Sequence, residues 1–148
     1  MKWFEEAAKK GDLDCMNFSG LSFSAGRGCV RDDKKAAEYF KKASDLGHFY
    51  ATNELGNCYY EGAGVEKCLE TARTFFKQAA DLKNIKGDVN LGTMMILGEG
   101  GEKEIGSGFA LIEKAAKAGN KYAVAHLSEI EKVAEKWKMT GIFKLGTL

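Results

Sequence analysis

Apolar residues fall at helical spacing along most of the chain. Ala51, Leu55, Cys58 and Tyr59 stand at i, i+4, i+7 and i+8, which marks one face of a helix. Gly62-Ala63-Gly64 ends it, and Leu69, Ala72, Phe75, Phe76 and Ala79 form the apolar face of a second helix. Met1 to Lys10 reads as a helix as well, with Trp3, Phe4, Ala7 and Ala8 in the positions that Tyr39, Phe40, Ala43 and Ser44 occupy later. The pattern predicts helical hairpins and no sheet.

The same residue types return every 36 residues. Gly26, Gly62 and Gly98 form one column, Gly28, Gly64 and Gly100 a second, and Leu55, Leu91 and Leu127 a large apolar one. A period of this size means stacked supersecondary units. The expected fold is an all-α, α/α solenoid of antiparallel helix pairs in a single domain. Half a repeat covers 1–11, full repeats cover 12–47, 48–83 and 84–119, and a capping helix and tail cover 120–148.

Between repeats, Gly11-Asp12, Gly47-His48 and Gly119-Asn120 pair a left-handed residue with a helix cap. Lys83-Asn84 breaks that column, so this turn is expected to be rearranged or mildly strained. Gly20, Gly56 and Gly92 lie inside first helices at a cost of roughly 1 kcal/mol each against Ala. Close approach of the paired helix is the expected compensation. Repeat three reads as the least regular, with Gly106 and Gly108 where its second helix should start and Met94-Met95-Ile96-Leu97 apolar nearly all round. The last helix keeps Ala123 and Leu127 and then places charges between Ile130, Val133 and Trp137, as a solenoid end requires. Beyond it, Ile142, Phe143 and Leu145 must pack somewhere, the groove being one candidate.

Composition narrows the function. The chain has 148 residues, 45% of them hydrophobic, which is enough for a continuous core. Lys and Arg number 22 against 21 for Asp and Glu, and the basic pairs sit among carboxylates, so no stripe for nucleic acid forms. The apolar runs are too short to span a membrane, and Trp3-Phe4-Glu5-Glu6 is not the core of an export signal. Cys15, Cys29, Cys58 and Cys68 fit no metal spacing and read as free thiols, which points to the cytoplasm. A secreted or periplasmic location would follow if a signal peptide had been removed.

Candidate chemistry is sparse. The glycine loops follow a helix rather than a strand and recur, so they read as turns and not as phosphate cradles. His48 falls in the helix-cap column, and His126 has no partner at ligand or triad spacing. No catalytic residue, metal site or cofactor is expected.

Leu55-Gly56-x-x-Tyr59 and Ala72-x-x-x-Phe76 match the tetratricopeptide pattern, but the period is longer and the chain has no proline. The fuller pattern is Ala51-x-x-x-Leu55-Gly56-x-x-Tyr59-x-x-Gly62-x-Gly64-Val65, followed by Ala72-x-x-Phe75-Phe76-Lys77-x-Ala79-Ala80. It resembles the Sel-one-like repeat (SLR), over about residues 1–134. The resemblance implies a right-handed superhelix of paired helices that acts as an adaptor for protein complexes. Ala43-Ser44-Asp45-Leu46 and Ala79-Ala80-Asp81-Leu82 are also similar to the Helicobacter cysteine-rich branch, in which a disulfide ties each second helix to the next helix. Here the matching pairs are Ser44 with Thr52, Ala80 with Asp88, and Ala116 with Val124. Without those cysteines, neither the branch's oxidising location nor its penicillin-binding activity carries over directly.

One row of side chains stands opposite the Leu55 column. It holds Tyr50, Asn53, Asn57 and Tyr60 in repeat two, with Asn17 and Leu21 one repeat earlier, Lys86, Val89, Thr93 and Ile96 one later, and Tyr122 on the last helix. If first helices line the inner curve, as the resemblance implies, this row forms a groove of amides, aromatics and exposed aliphatics suited to a peptide or partner helix. The expected function is a non-enzymatic scaffold that binds a protein or peptide there, as a monomer or with weak self-association through the Trp3 end. Rival readings are an immunity or antidote protein that neutralises a toxin, a weak β-lactam-binding hydrolase, and a fragment of a longer repeat protein.

Overall fold

Capping side chains and left-handed glycines set the helix boundaries of the computed structural model. It describes residues 2–139, and their side chains except those of residues 4, 5, 130 and 133–139. The tail around Phe143 and the side chains of Val133 and Trp137 lie outside the described residues. Among the described residues eight helices follow one another: α1 (Lys2–Lys9), α2 (Leu13–Ala25), α3 (Asp33–Asp45), α4 (Phe49–Glu61), α5 (Leu69–Asp81), α6 (Ile85–Leu97), α7 (Ile105–Lys117) and α8 (Lys121–Met139). No strand occurs among the described residues.

The first helices α2, α4 and α6 start on Asp12, His48 and Asn84, whose side chains accept the backbone N–H of Cys15, Ala51 and Gly87 at 3.0, 3.2 and 3.0 Å. They stop on Gly26, Gly62 and Gly98, at φ of 66, 74 and 74°. The cap residues also tie repeats together. His48 takes the Ala51 N–H on Nδ1, so its proton sits on Nε2 and is donated to Asp14 Oδ1 at 3.1 Å. Asn84 likewise donates from Nδ2 to the Phe49 carbonyl at 3.3 Å.

Every helix packs on its neighbours in sequence, most densely within the pairs α2/α3, α4/α5 and α6/α7. This is the α/α solenoid of antiparallel pairs. Its core runs through Phe40 and Leu55, then Phe76, Leu91 and Met94, then Ile112 and Ala123. The interior glycines do mark close approach. A Cβ on Gly56 would sit 2.6 Å from the Phe76 ring, and one on Gly92 would sit 2.7 Å from the Gly108 carbonyl oxygen.

Two expectations are sharpened. Lys83 keeps the glycine geometry at φ 67°, and the turn retains its bonds from Lys83 N to Ala80 O and from Asn84 N to Ala79 O, both 3.0 Å. The turn is therefore strained rather than rearranged. Repeat three is regular in its backbone, because α7 begins at Ile105 and is as long as α3 and α5 despite Gly106 and Gly108. Its irregularity lies in the side chains that close the pair.

Candidate binding groove

The first helices α4 and α6, the start of α8 and the turn after α6 enclose a cavity of about 390 Å³, within the range of ligand-binding clefts. Of the predicted row it is lined by Asn53, Asn57, Tyr60, Lys86, Val89, Thr93 and Tyr122. Asn17, Leu21, Tyr50 and Ile96 do not line it. Tyr50 instead sits against Phe49, the rings tilted by 39° with centroids 4.2 Å apart. Leu21 is exposed on α2, one repeat away.

Four residues of the row are not surplus to packing. Asn53 is only 2% exposed and Val89 8%. Asn53 on α4 is met by the next first helix, where Asn90 Nδ2 donates to Asn53 Oδ1 at 2.9 Å. Val89 is packed with Ile112, Ala115 and Ala123, and half-buried Ile96 leans on the same cluster. Tyr60 also serves two ends: its ring packs on the Phe76 and Leu91 cluster, while its hydroxyl donates to Glu99 Oε2 at 3.0 Å. That bond, with burial and the nearby charge, holds the phenol above its ordinary range.

The cavity also contains Glu54, Glu61, Asn90, Glu99 and His126, which the sequence row missed. A 3.6-residue period places Glu54 and Glu61 beside Asn57 and Tyr60 on the same face, and Glu54, Asn90 and His126 form one 36-residue column. Glu99 gave no such signal, since it arrives from a turn far along the chain. Glu54 Oε2 accepts from Asn57 Nδ2 at 3.2 Å, and Thr93 bonds back to the Val89 carbonyl at 2.8 Å.

Elsewhere, Arg73 is not a free outer residue. It is largely buried, donates to the Glu99 and Glu102 carbonyls at 3.3 and 2.9 Å, and pairs with Glu104 at 3.1 Å. It pins the turn that carries Glu99. At the branch's bridge positions, Ser44 Oγ donates to Thr52 Oγ1 at 2.9 Å, because the Thr52 hydroxyl proton goes to the His48 carbonyl. Buried Asp88 is 3.2 Å from Lys114 Nζ. The four cysteines are unbridged. Burial pushes the Cys58 thiol up to about 12, while the Thr71 hydroxyl and backbone N–H groups at the start of α5 lower that of Cys68. Among the described residues no His, Cys, Asp and Glu side chains gather as a metal site, and no helix is long and apolar enough to cross a membrane.

The Sel1 repeat family model matches residues 1–12, 13–48, 49–84 and 87–120. Among solved structures, the chain is similar to a protective antigen of uropathogenic Escherichia coli that displays an SLR fold, with 28% identity and a TM-score of 0.83 over 88% of this chain. It also resembles a Sel1 repeat protein of Oxalobacter formigenes, at 24% identity and a TM-score of 0.74 over 79% of the chain. A third likeness is to Helicobacter pylori cysteine rich protein B, at 24% identity and 0.68 over 84%. The chain spans 28% of the first of these proteins, 48% of the second and 94% of the third. No curated protein matches it in sequence.

Proposed function

The chain belongs to the Sel1 repeat family, and from that premise we propose that it is a non-enzymatic module holding a protein or peptide partner in the cavity between α4, α6 and α8. Proteins of this family are generally interaction scaffolds. The observation that carries the reading is the cavity itself, where amides, aromatics and carboxylates from three successive first helices converge. Such a lining combines apolar surface with donors and acceptors for a polypeptide backbone.

Site-specific photo-crosslinking in native extract tests it. A photoreactive side chain at Asn57 should yield a discrete adduct, whereas the same group at exposed Lys77 on α5 should not. An adduct from position 77 alone would move the partner site to the second helices.

A further inference from the structure

We propose that the occupant of this cavity is an extended peptide carrying a lysine or arginine, whose cationic side chain is received by Glu54, Glu61 and Glu99. The inference rests on the groove reading above and deepens it to a partner chemistry.

Charge is the first observation. Among the described residues three carboxylates line the cavity, and Lys86 is its only permanent cation. Elsewhere, Asp33, Asp45, Asp88, Glu104 and Glu113 each pair with an Arg or Lys of the chain. Two of the cavity carboxylates are held by neutral donors, Glu99 by the Tyr60 hydroxyl and Glu54 by the Asn57 amide, while Glu61 lies in the field of Arg31. Those bonds fix orientation and leave the charge uncompensated, so a cation is favoured and a phosphate or carboxylate is disfavoured.

The second observation is independent of charge. Asn53 and Asn90 share one hydrogen bond, from Asn90 Nδ2 to Asn53 Oδ1. Among the described residues that leaves Asn53 Nδ2 without an acceptor and Asn90 Oδ1 without a donor, although Asn53 is 98% buried and lines the cavity. Neither atom is sealed from solvent, unlike Asn17 Oδ1, Ser19 Oγ and Asp88 Oδ1, so both are open to a ligand in the cavity. A free donor beside a free acceptor matches one residue of an extended backbone, whose C=O and N–H point to the same side: the C=O accepts from Asn53 Nδ2 and the N–H donates to Asn90 Oδ1. A bare metal cation or a small amine cannot accept the Asn53 proton, whereas a peptide with a basic side chain meets both features.

The test is selection of bead-bound, end-blocked random heptapeptides with the full chain at low salt. Enriched peptides should carry Lys or Arg at one fixed position. Replacing that residue by norleucine in the resynthesised peptide should weaken binding by about tenfold or more. Glu99→Gln keeps an acceptor for Tyr60 and should leave the melt unchanged, yet with Glu54→Gln it should remove most of that basic preference. Raising salt from about 0.05 to 0.5 M should weaken binding likewise. Peptides with no basic preference that are still released by Tyr122→Ala would overturn this inference and leave the groove reading standing. Binding indifferent to Tyr122→Ala and to both Gln variants would overturn both readings. No enrichment at all would overturn the peptide inference, and a folded partner would then be judged by the crosslinking at Asn57.

Discussion

The α4/α5 and α6/α7 pairs have the same helix lengths and the same entry glycine column, yet they close differently. In α4/α5 the Phe76 ring lies against Gly56, its Cε1 2.6 Å from where a Cβ would stand. In α6/α7 the ring is replaced by Ile112, and Gly92 and Gly108 bring backbone to backbone, since a Cβ on Gly108 would sit 2.5 Å from the Gly92 carbonyl. One glycine column thus serves two contacts, one with a movable side chain and one with a main chain that cannot yield. Repeat position alone does not determine what a substitution will do.

The largest effect should come from the side chains that fill the two pairs. Phe76→Ala should cost about 3–5 kcal/mol and Ile112→Ala about 2–5, both being fully buried truncations. Urea melts would show whether α4/α5 depends on its ring more than α6/α7 does on Ile112. Next comes the glycine contrast. Gly92→Ala should cost about 1–3 kcal/mol because the obstacle is backbone. Gly56→Ala should cost less, since the ring can shift and helix propensity returns up to about 1 kcal/mol. Equal losses would show that α6/α7 does not close through its backbone.

The turns give a smaller contrast. Lys83→Gly should stabilise by up to about 1 kcal/mol, because left-handed strain of about 1–2 kcal/mol outweighs the added entropy of glycine. A loss on this change would mean that the Lys83 side chain contributes more than its backbone costs.

The thiols give the smallest effect. At mildly alkaline pH a disulfide reagent should modify Cys68 first and Cys58 only on unfolding, with all four reacting in urea. The raised Cys58 thiol keeps its proton in the fold and loses it near 9.0 when unfolded. Its contribution is therefore complete below about pH 9 and declines as pH rises toward about 12. An alkaline melt that rises through this window would contradict the assignment.

The fold was legible because glycine columns and the Leu55 and Phe76 positions repeat at one interval, and each repeat folds on its neighbour alone. Helix starts at Asp12, His48 and Asn84 were legible for the same reason. The groove was legible only in part. A row read at spacings of three and four residues found Asn57, Thr93 and Tyr122, but it took Asn53 and Val89 for exposed. Their burial comes from neighbouring units, Asn90 of α6 reaching Asn53 and α7 and α8 covering Val89, and no single repeat encodes those contacts. Glu99 escaped because it is delivered by a turn pinned through Arg73, a contact spanning two repeats.

The central claim is that partners bind the first-helix face and not the second helices. Affinity of an isolated partner for Tyr122→Ala, Asn57→Ala and Lys77→Ala tests it most directly. Tyr122 is 75% exposed, so its loss should leave the melt unchanged. Tyr122→Ala and Asn57→Ala should together weaken binding by at least about 1 kcal/mol, and Lys77→Ala should leave it within about 0.5. Full affinity in the groove variants, with binding lost in Lys77→Ala, would contradict the account.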